Sequence, residues 1–300
     1  MATEHTDNRQ MSLTSALQQL AVNPVQVLAG GTDYFPALGE SAVPDYLLDL
    51  TKVSELRGIR ITDDGITIGA TTTWTDIINA ELPDFFKGLK EAAREVGSVQ
   101  IQNAGTIAGN LCNASPAADG VPPLLALNAS IEIASVDGCR RVPLREFILG
   151  PRSTTLAANE LVIAIHIPGL SSDARSGFYK LGSRRYLVIS IVMASVTLLA
   201  NDAGELCDVR IAVGACSAVA KRMAELEKVL TGQSIQSDIE SLVKPEFFKE
   251  LTPISDVRAS APYRTNAAYE VVIRLLRSTL AALPQQGIST GTSTWVGSAP

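Results

Sequence analysis

Histidine, cysteine and aromatic residues are scarce in this chain: 2 His, 4 Cys and 5% aromatics among 300 residues. Cys112, Cys139, Cys207 and Cys216 form no Cys-x-x-Cys pair and stand near no histidine in sequence, which excludes a local zinc framework and a local iron–sulfur binding run. They read as reduced, mainly structural thiols, so any cluster must belong to another chain. His5 falls in a polar leader and His166 alternates with apolar neighbours in "LVIAIHIP"; both read as incidental. A membrane-length apolar run is also missing. The longest, "YLVISIVMASVTLLA" from Tyr186 to Ala200, is shorter than the roughly 20 residues a bilayer requires and reads as buried core. No basic-headed apolar leader opens the chain, and the expected location is cytoplasmic. Nor is there an excess of positive charge. Against 25 Lys+Arg stand 31 Asp+Glu, a net −6 that argues against a nucleic-acid partner.

What is present is enough apolar residue, 46%, to build about two domains. "SLTSALQQL" places Leu13, Ala16, Leu17 and Leu20 at helical spacing with Ser12 as cap, ahead of a short strand "PVQVL". A second strand, "YLLDL", makes the opening a small α/β unit. "GIRITDDGITIGA" and "SIEIASVDGCRRVP" read as hairpins around Asp64-Gly65 and Asp137-Gly138, and "LVIAIHIP" adds another strand. Between the hairpins a helix is expected over Phe85–Val96, with Leu89, Ala92, Ala93 and Val96 inward and Gly97 as its stop. After the linker "GLSSDARSG" come long strands near Ile189–Leu199 and Val209–Val213. Helices are expected over Ala218–Leu230 and Ala267–Leu283, the latter stopped by Pro284.

Two segments invite a ligand. In "LAGGTDY", Gly30 and Gly31 follow a strand, where positive φ and exposed amides can make an anion-binding nest, with Thr32 and Asp33 adding side-chain hydrogen bonds; a plain tight turn is the alternative. In "AGTIAGNLCNASPAAD", Gly105, Thr106, Gly109, Asn110, Ser115 and Asp119 sacrifice packing for backbone access, although a buried turn would do the same. Two such loops could close on one extended ligand.

Together they resemble the flavin-binding medium subunit of the molybdenum hydroxylases, the family of xanthine dehydrogenase and carbon monoxide dehydrogenase. "LAGGTDY" is similar to the family's first FAD loop and "TIAGNLCNASPAAD" to its second. The resemblance continues through "GPRSTTLAANELVIAIHIP", "FYKLGSRRY" and "APYRTNAAYEVVIRLL". It implies an α+β fold: a two-part FAD-binding domain of the vanillyl-alcohol-oxidase/PCMH type over 1–175 (subdomains about 10–58 and 59–175), an α+β C-terminal domain over 176–283, and a mobile tail over 284–300. It also implies noncovalent FAD contacts from Leu28, Ala29, Gly30, Gly31, Thr32, Asp33 and Tyr34, and from a second clasp of Thr106, Ile107, Ala108, Gly109 and Asn110 with Ser115. Asp119 matches an acidic contact to the adenosine part, Val162 and Lys180 match two later flavin contacts, and Val96 occupies a position often aromatic in animal relatives. No residue is implied as catalytic or metal-binding.

By the same resemblance, a molybdenum cofactor sits on a large partner subunit and iron–sulfur clusters on a small one, in a dimer of heterotrimers. FAD passes their electrons to NAD or another acceptor. Two departures bear on geometry. Ala108 replaces the first glycine of a Gly-Gly pair and suits a close loop only with negative φ. "SRRYLVIS" lacks the acidic residues found after this arginine pair in animal relatives, so contacts around the flavin ring are expected to differ. A self-contained FAD oxidase and a flavin-free assembly module are the alternatives.

Overall fold

The computed structural model describes residues 11–22, 25–44 and 46–284. The polar leader before Met11 and the tail from 285 onward lie outside them. The opening unit forms as its pattern predicts: α1 (Leu13–Val22), whose first turn is capped by Ser12, buries Ala16 and Leu20. Next come β1 (Gln26–Leu28), a short α2 (Tyr34–Leu38) and β2 (Leu47–Asp49), which pairs parallel with β1.

Both Asp-Gly signals produce hairpins. β3 (Ile59–Thr62) and β4 (Gly65–Gly69) turn through Asp63 and Asp64, with Gly65 at φ +135°. Four short helices come next, with a 3-10 turn at Asp84–Phe86 between the first two: α3 (Trp74–Asn79), α4 (Lys87–Glu95), α5 (Val99–Ala104) and α6 (Ile107–Asn113). α7 (Val121–Ala126) carries its two prolines in the first turn, where no intrahelical N–H is needed. β5 (Ser130–Ser135) and β6 (Gly138–Pro143) make the second hairpin, with Gly138 at φ +138°. After α8 (Leu144–Phe147), β7 (Ile148–Gly150) and β8 (Ser153–Thr154), β9 (Leu161–Pro168) inserts between the hairpins to give an antiparallel sheet of order β3-β4-β9-β5-β6. Ile66, Ile68, Ile131, Ile133, Ile165 and Ile167 pack one side of the core against Trp74, Phe86, Leu89 and Leu111.

The second sheet runs β10 (Arg175–Leu181), β11 (Val192–Ala200), β12 (Leu206–Gly214) and β13 (Lys221–Arg222), all antiparallel. α9 (Ala224–Leu230), α10 (Ile239–Leu242) and α11 (Ala261–Ala282) complete its core through Leu226, Ile239, Val272 and Leu276. Two expectations are corrected here. Residues 218–223 are not helical, because Lys221 and Arg222 pair with β12 and the Arg222 guanidinium forks onto Glu227 at 2.6 and 2.8 Å. α11 begins six residues before Ala267, since Ser260 caps it and Pro262 sits harmlessly in its first turn.

The halves are joined where β10 meets α4. Gly88 N–H donates to Ser176 Oγ (2.8 Å), whose hydroxyl donates to Phe85 O (2.7 Å), and Phe178 N–H donates to Glu91 Oε2 (2.8 Å). A Cβ on Gly88 would lie 3.0 Å from Gly177 O, so this glycine lets helix and strand approach. That joint carries Lys180 toward the first half. No described helix is long and apolar enough to cross a membrane.

Candidate functional site

The chain turns from β1 into α2 through Gly30-Gly31, and the reason for both glycines is visible. A Cβ on Gly30 would fall 1.9 Å from Ala104 O, and Gly31 adopts φ +70°. Gly30 is therefore the point where the first loop rests on the backbone joining α5 to α6. Gly105 in turn packs near Thr32: a Cβ there would lie 3.3 Å from Thr32 Oγ1. The two glycine-rich segments, far apart in sequence, interlock.

Behind this junction lies a cleft of about 920 Å³. Every residue from Leu28 to Tyr34 lines it, as do Val96, Thr106, Ala108, Gly109, Asn110, Ser115, Asp119, Val162 and Lys180. Ile107 does not: helix α6 turns its side chain into the core, fully buried. Ala108, the second residue of α6, has no positive φ and is accommodated without the glycine that the sequence pattern suggested.

The two segments offer different chemistry. The N–H groups of Gly30, Gly31, Thr32 and Asp33 have no acceptor among the described residues. Those of Ile107, Ala108, Gly109 and Asn110 are all engaged, to Thr72 O, Ala70 O, Thr106 Oγ1 and Thr106 O. The first loop thus presents free donors, while the second offers side chains. Tyr34 OH and Asn110 Oδ1 are buried on this wall without a hydrogen-bond partner.

Asp119 and Lys180, separated by 61 positions, meet directly at 2.7 Å, and Asp119 Oδ1 also accepts from Ser190 Oγ at 3.0 Å. Lys180 additionally donates to Glu95 O at 3.2 Å. Burial pushes the Asp119 carboxyl above the usual carboxylate range, against the opposing pull of Lys180 and Ser190. Cys112 also lines the cleft, exposed to it, and no charged group among the described residues activates its thiol. His166 lies elsewhere. It faces a separate cavity of about 390 Å³ and bridges Thr67 Oγ1 and Glu132 Oε2.

The sequence reading missed several lining residues. Trp74 and Ser98 come from elements with no glycine signature, and Arg152 comes from the turn between β7 and β8; Leu187 and Val188, in the segment where altered ring contacts are expected, line the cleft with Ile189. Only Arg152 carried a local signal, a Pro-Arg pair in a two-residue turn.

A family model described as the FAD binding domain in molybdopterin dehydrogenase matches residues 8–170, and one described as the CO dehydrogenase flavoprotein C-terminal domain matches residues 177–279. The chain is 34% identical to the glyceraldehyde dehydrogenase medium chain of Sulfolobus acidocaldarius, across 85% of this chain and 91% of that protein. It is 29% identical to the xanthine dehydrogenase FAD-binding subunit of Escherichia coli O157:H7, across 92% and 96%. A solved structure of carbon monoxide dehydrogenase from Hydrogenophaga pseudoflava superimposes with a TM-score of 0.82 at 27% identity, covering 91% of this chain and 96% of that one.

Proposed function

This chain belongs to the FAD-binding medium subunits of the molybdopterin dehydrogenases, of xanthine and carbon monoxide dehydrogenase type, and from that premise we propose that it is the flavin station of such a complex. Electrons arrive from a molybdenum cofactor on a large companion subunit by way of iron–sulfur clusters on a small one, and leave to NAD or another acceptor. The assembly is a dimer of heterotrimers.

The observation that carries this reading is the set of free amides at Gly30–Asp33, held over a cleft large enough for a dinucleotide by a glycine contact that tolerates no side chain. The orphaned Tyr34 OH and Asn110 Oδ1 on the same wall want a polar ligand. On these observations the residues fit FAD.

FAD, when bound, supplies exchange between single electrons and electron pairs. The chain's own part is to bind and orient. We assign the diphosphate to the amides of Gly30–Asp33 and the remaining polar contacts to Tyr34, Thr106, Asn110, Ser115, Asp119 and Lys180. Leu28, Ala29, Ala108, Gly109, Val96 and Val162 shape the wall and exclude water. Attachment is noncovalent, because no charged group among the described residues activates the cleft thiol of Cys112 and His166 faces another cavity. Equilibrium titration of the flavin-stripped full chain should show one equivalent of FAD bound with its visible absorbance band. A chain that takes up no FAD would overturn the reading.

A further inference from the structure

Among the described residues, two cations line the cleft, Lys180 and Arg152. They are not equivalent. Lys180 is committed to Asp119 and to Glu95 O, with a side chain only 6% exposed. Arg152 has no carboxylate partner among the described residues, and its one side-chain contact is a long 3.5 Å hydrogen bond from Nη1 to Asn113 O. A second charged pair at the cleft is closed as well, since Glu160 is forked by Arg140 at 2.7 Å through both oxygens. A cleft built for an anion has a single uncommitted cation.

The backbone under Arg152 is unusual. Pro151 and Arg152 form the two-residue turn between β7 and β8, and Arg152 adopts φ +59°. Proline is the favoured first corner residue of such a turn, but the second, left-handed corner favours glycine or asparagine, and an arginine there is strained by its Cβ. The conformation is fixed by a 3.0 Å hydrogen bond from Arg152 N–H to Ala114 O, at the end of α6. A residue that the turn itself disfavours, held in place by neighbouring structure, directs attention to its side chain.

We propose that Arg152 is the cationic contact for the diphosphate of FAD. This inference rests on the reading of the cleft as the flavin site. The glycine turn supplies N–H donors without net charge; a diphosphate also needs a counter-charge, and a guanidinium supplies one with paired donors that match phosphate oxygens. Arg152 thus completes chemically what Gly30–Asp33 begin.

The test uses the full chain stripped of flavin, as wild type, Arg152→Gly, Arg152→Asn and Arg152→Lys, titrated with FAD and with riboflavin, which has no phosphate. Glycine and asparagine suit the left-handed corner, so both variants should keep the wild-type thermal midpoint or exceed it. Both should weaken FAD about tenfold or more while leaving riboflavin unchanged, with lysine recovering part of the loss. FAD affinity within twofold of wild type in the glycine and asparagine variants would overturn the assignment, as would equal weakening of FAD and riboflavin. Wild-type chain that binds neither flavin would instead refute the flavin-site reading.

Discussion

Asp119 Oδ2 accepts a 2.7 Å hydrogen bond from Lys180 Nζ, and the two side chains are 9% and 6% exposed. A buried ion pair therefore locks the loop after α6, in the FAD-binding half, to strand β10 of the C-terminal half. Burial raises the Asp119 carboxyl above its ordinary value. For a carboxyl raised in the folded state, stability is greatest below the unfolded pKa and is lost as pH climbs through the folded one. Lys180→Met removes the partner that opposes this loss. The variant should lose about 3–5 kcal/mol at neutral to mildly alkaline pH, where the carboxylate is stranded. The deficit should shrink in mild acid as Asp119 takes up a proton. Urea denaturation of both proteins at the two pH values decides it: a deficit of equal size at both would contradict the coupling.

The contact of Gly30 with Ala104 makes a sharper claim about shape. Gly30→Ala would press a methyl carbon to 1.9 Å from a backbone oxygen that cannot swing away. Overpacking of this kind costs about 1–3 kcal/mol, and relieving it must separate the two loops. Loss of bound flavin should accompany a lowered thermal midpoint. Gly150→Ala is the control, because nothing lies within 4 Å of its added Cβ and its φ is not positive. Flavin retained at wild-type occupancy in Gly30→Ala would show that the interlock does not shape the site.

The sequence was legible where a local signal and the tertiary demand coincide. The hairpins at Asp64-Gly65 and Asp137-Gly138 announced themselves because each returning strand opens on a glycine at positive φ, directly after a two-residue turn. The first loop was legible for a related reason: Gly30 and Gly31 serve close approach and left-handed geometry together. α5 and α6 were not, because glycine and small residues obscure a helical period in segments of 6 and 7 residues. The same blur made Ile107 look like part of an open loop when the first turn of α6 sends it inward. The partnership of Asp119 with Lys180 depends on how α4 docks on β10, which no local pattern encodes. Arg152 was quoted within a family-like segment yet not singled out, since its significance lies in a backbone angle.

Asp256 anchors the start of α11. Its carboxylate accepts from Arg258 N, Ala259 N and the buried Arg264 guanidinium, which reaches on to Ile191 O and Ala215 O. The Arg258 amide bond is the largest influence on a carboxyl held well below the usual range. A depressed carboxyl contributes stability that is present above the unfolded pKa of about 4 and lost as pH falls toward the folded value. Asp256→Asn should therefore be less stable than wild type from neutral pH down to about pH 4. Below that the gap should close. Thermal melts across this range check it, and a gap that widens in acid would contradict it.

Flavin chemistry gives a further check on the cleft. With no charged group among the described residues to activate the Cys112 thiol, no thiolate is poised for attachment, and acid precipitation should leave all flavin in the supernatant. Yellow colour in the washed pellet would reveal a covalent bond and refute the noncovalent assignment.

As the proposed flavin station, the chain depends on its partners for electrons from organic substrates, and stopped-flow absorbance at the flavin band tests that dependence most directly. The FAD-loaded full chain, alone and with its copurified companion subunits, is mixed anaerobically with aldehydes and N-heterocycles. The isolated chain should stay yellow with every organic substrate and bleach with dithionite, whereas the complex should bleach with its own substrate. Rapid substrate-driven bleaching of the isolated chain would contradict the account and identify a self-contained oxidase.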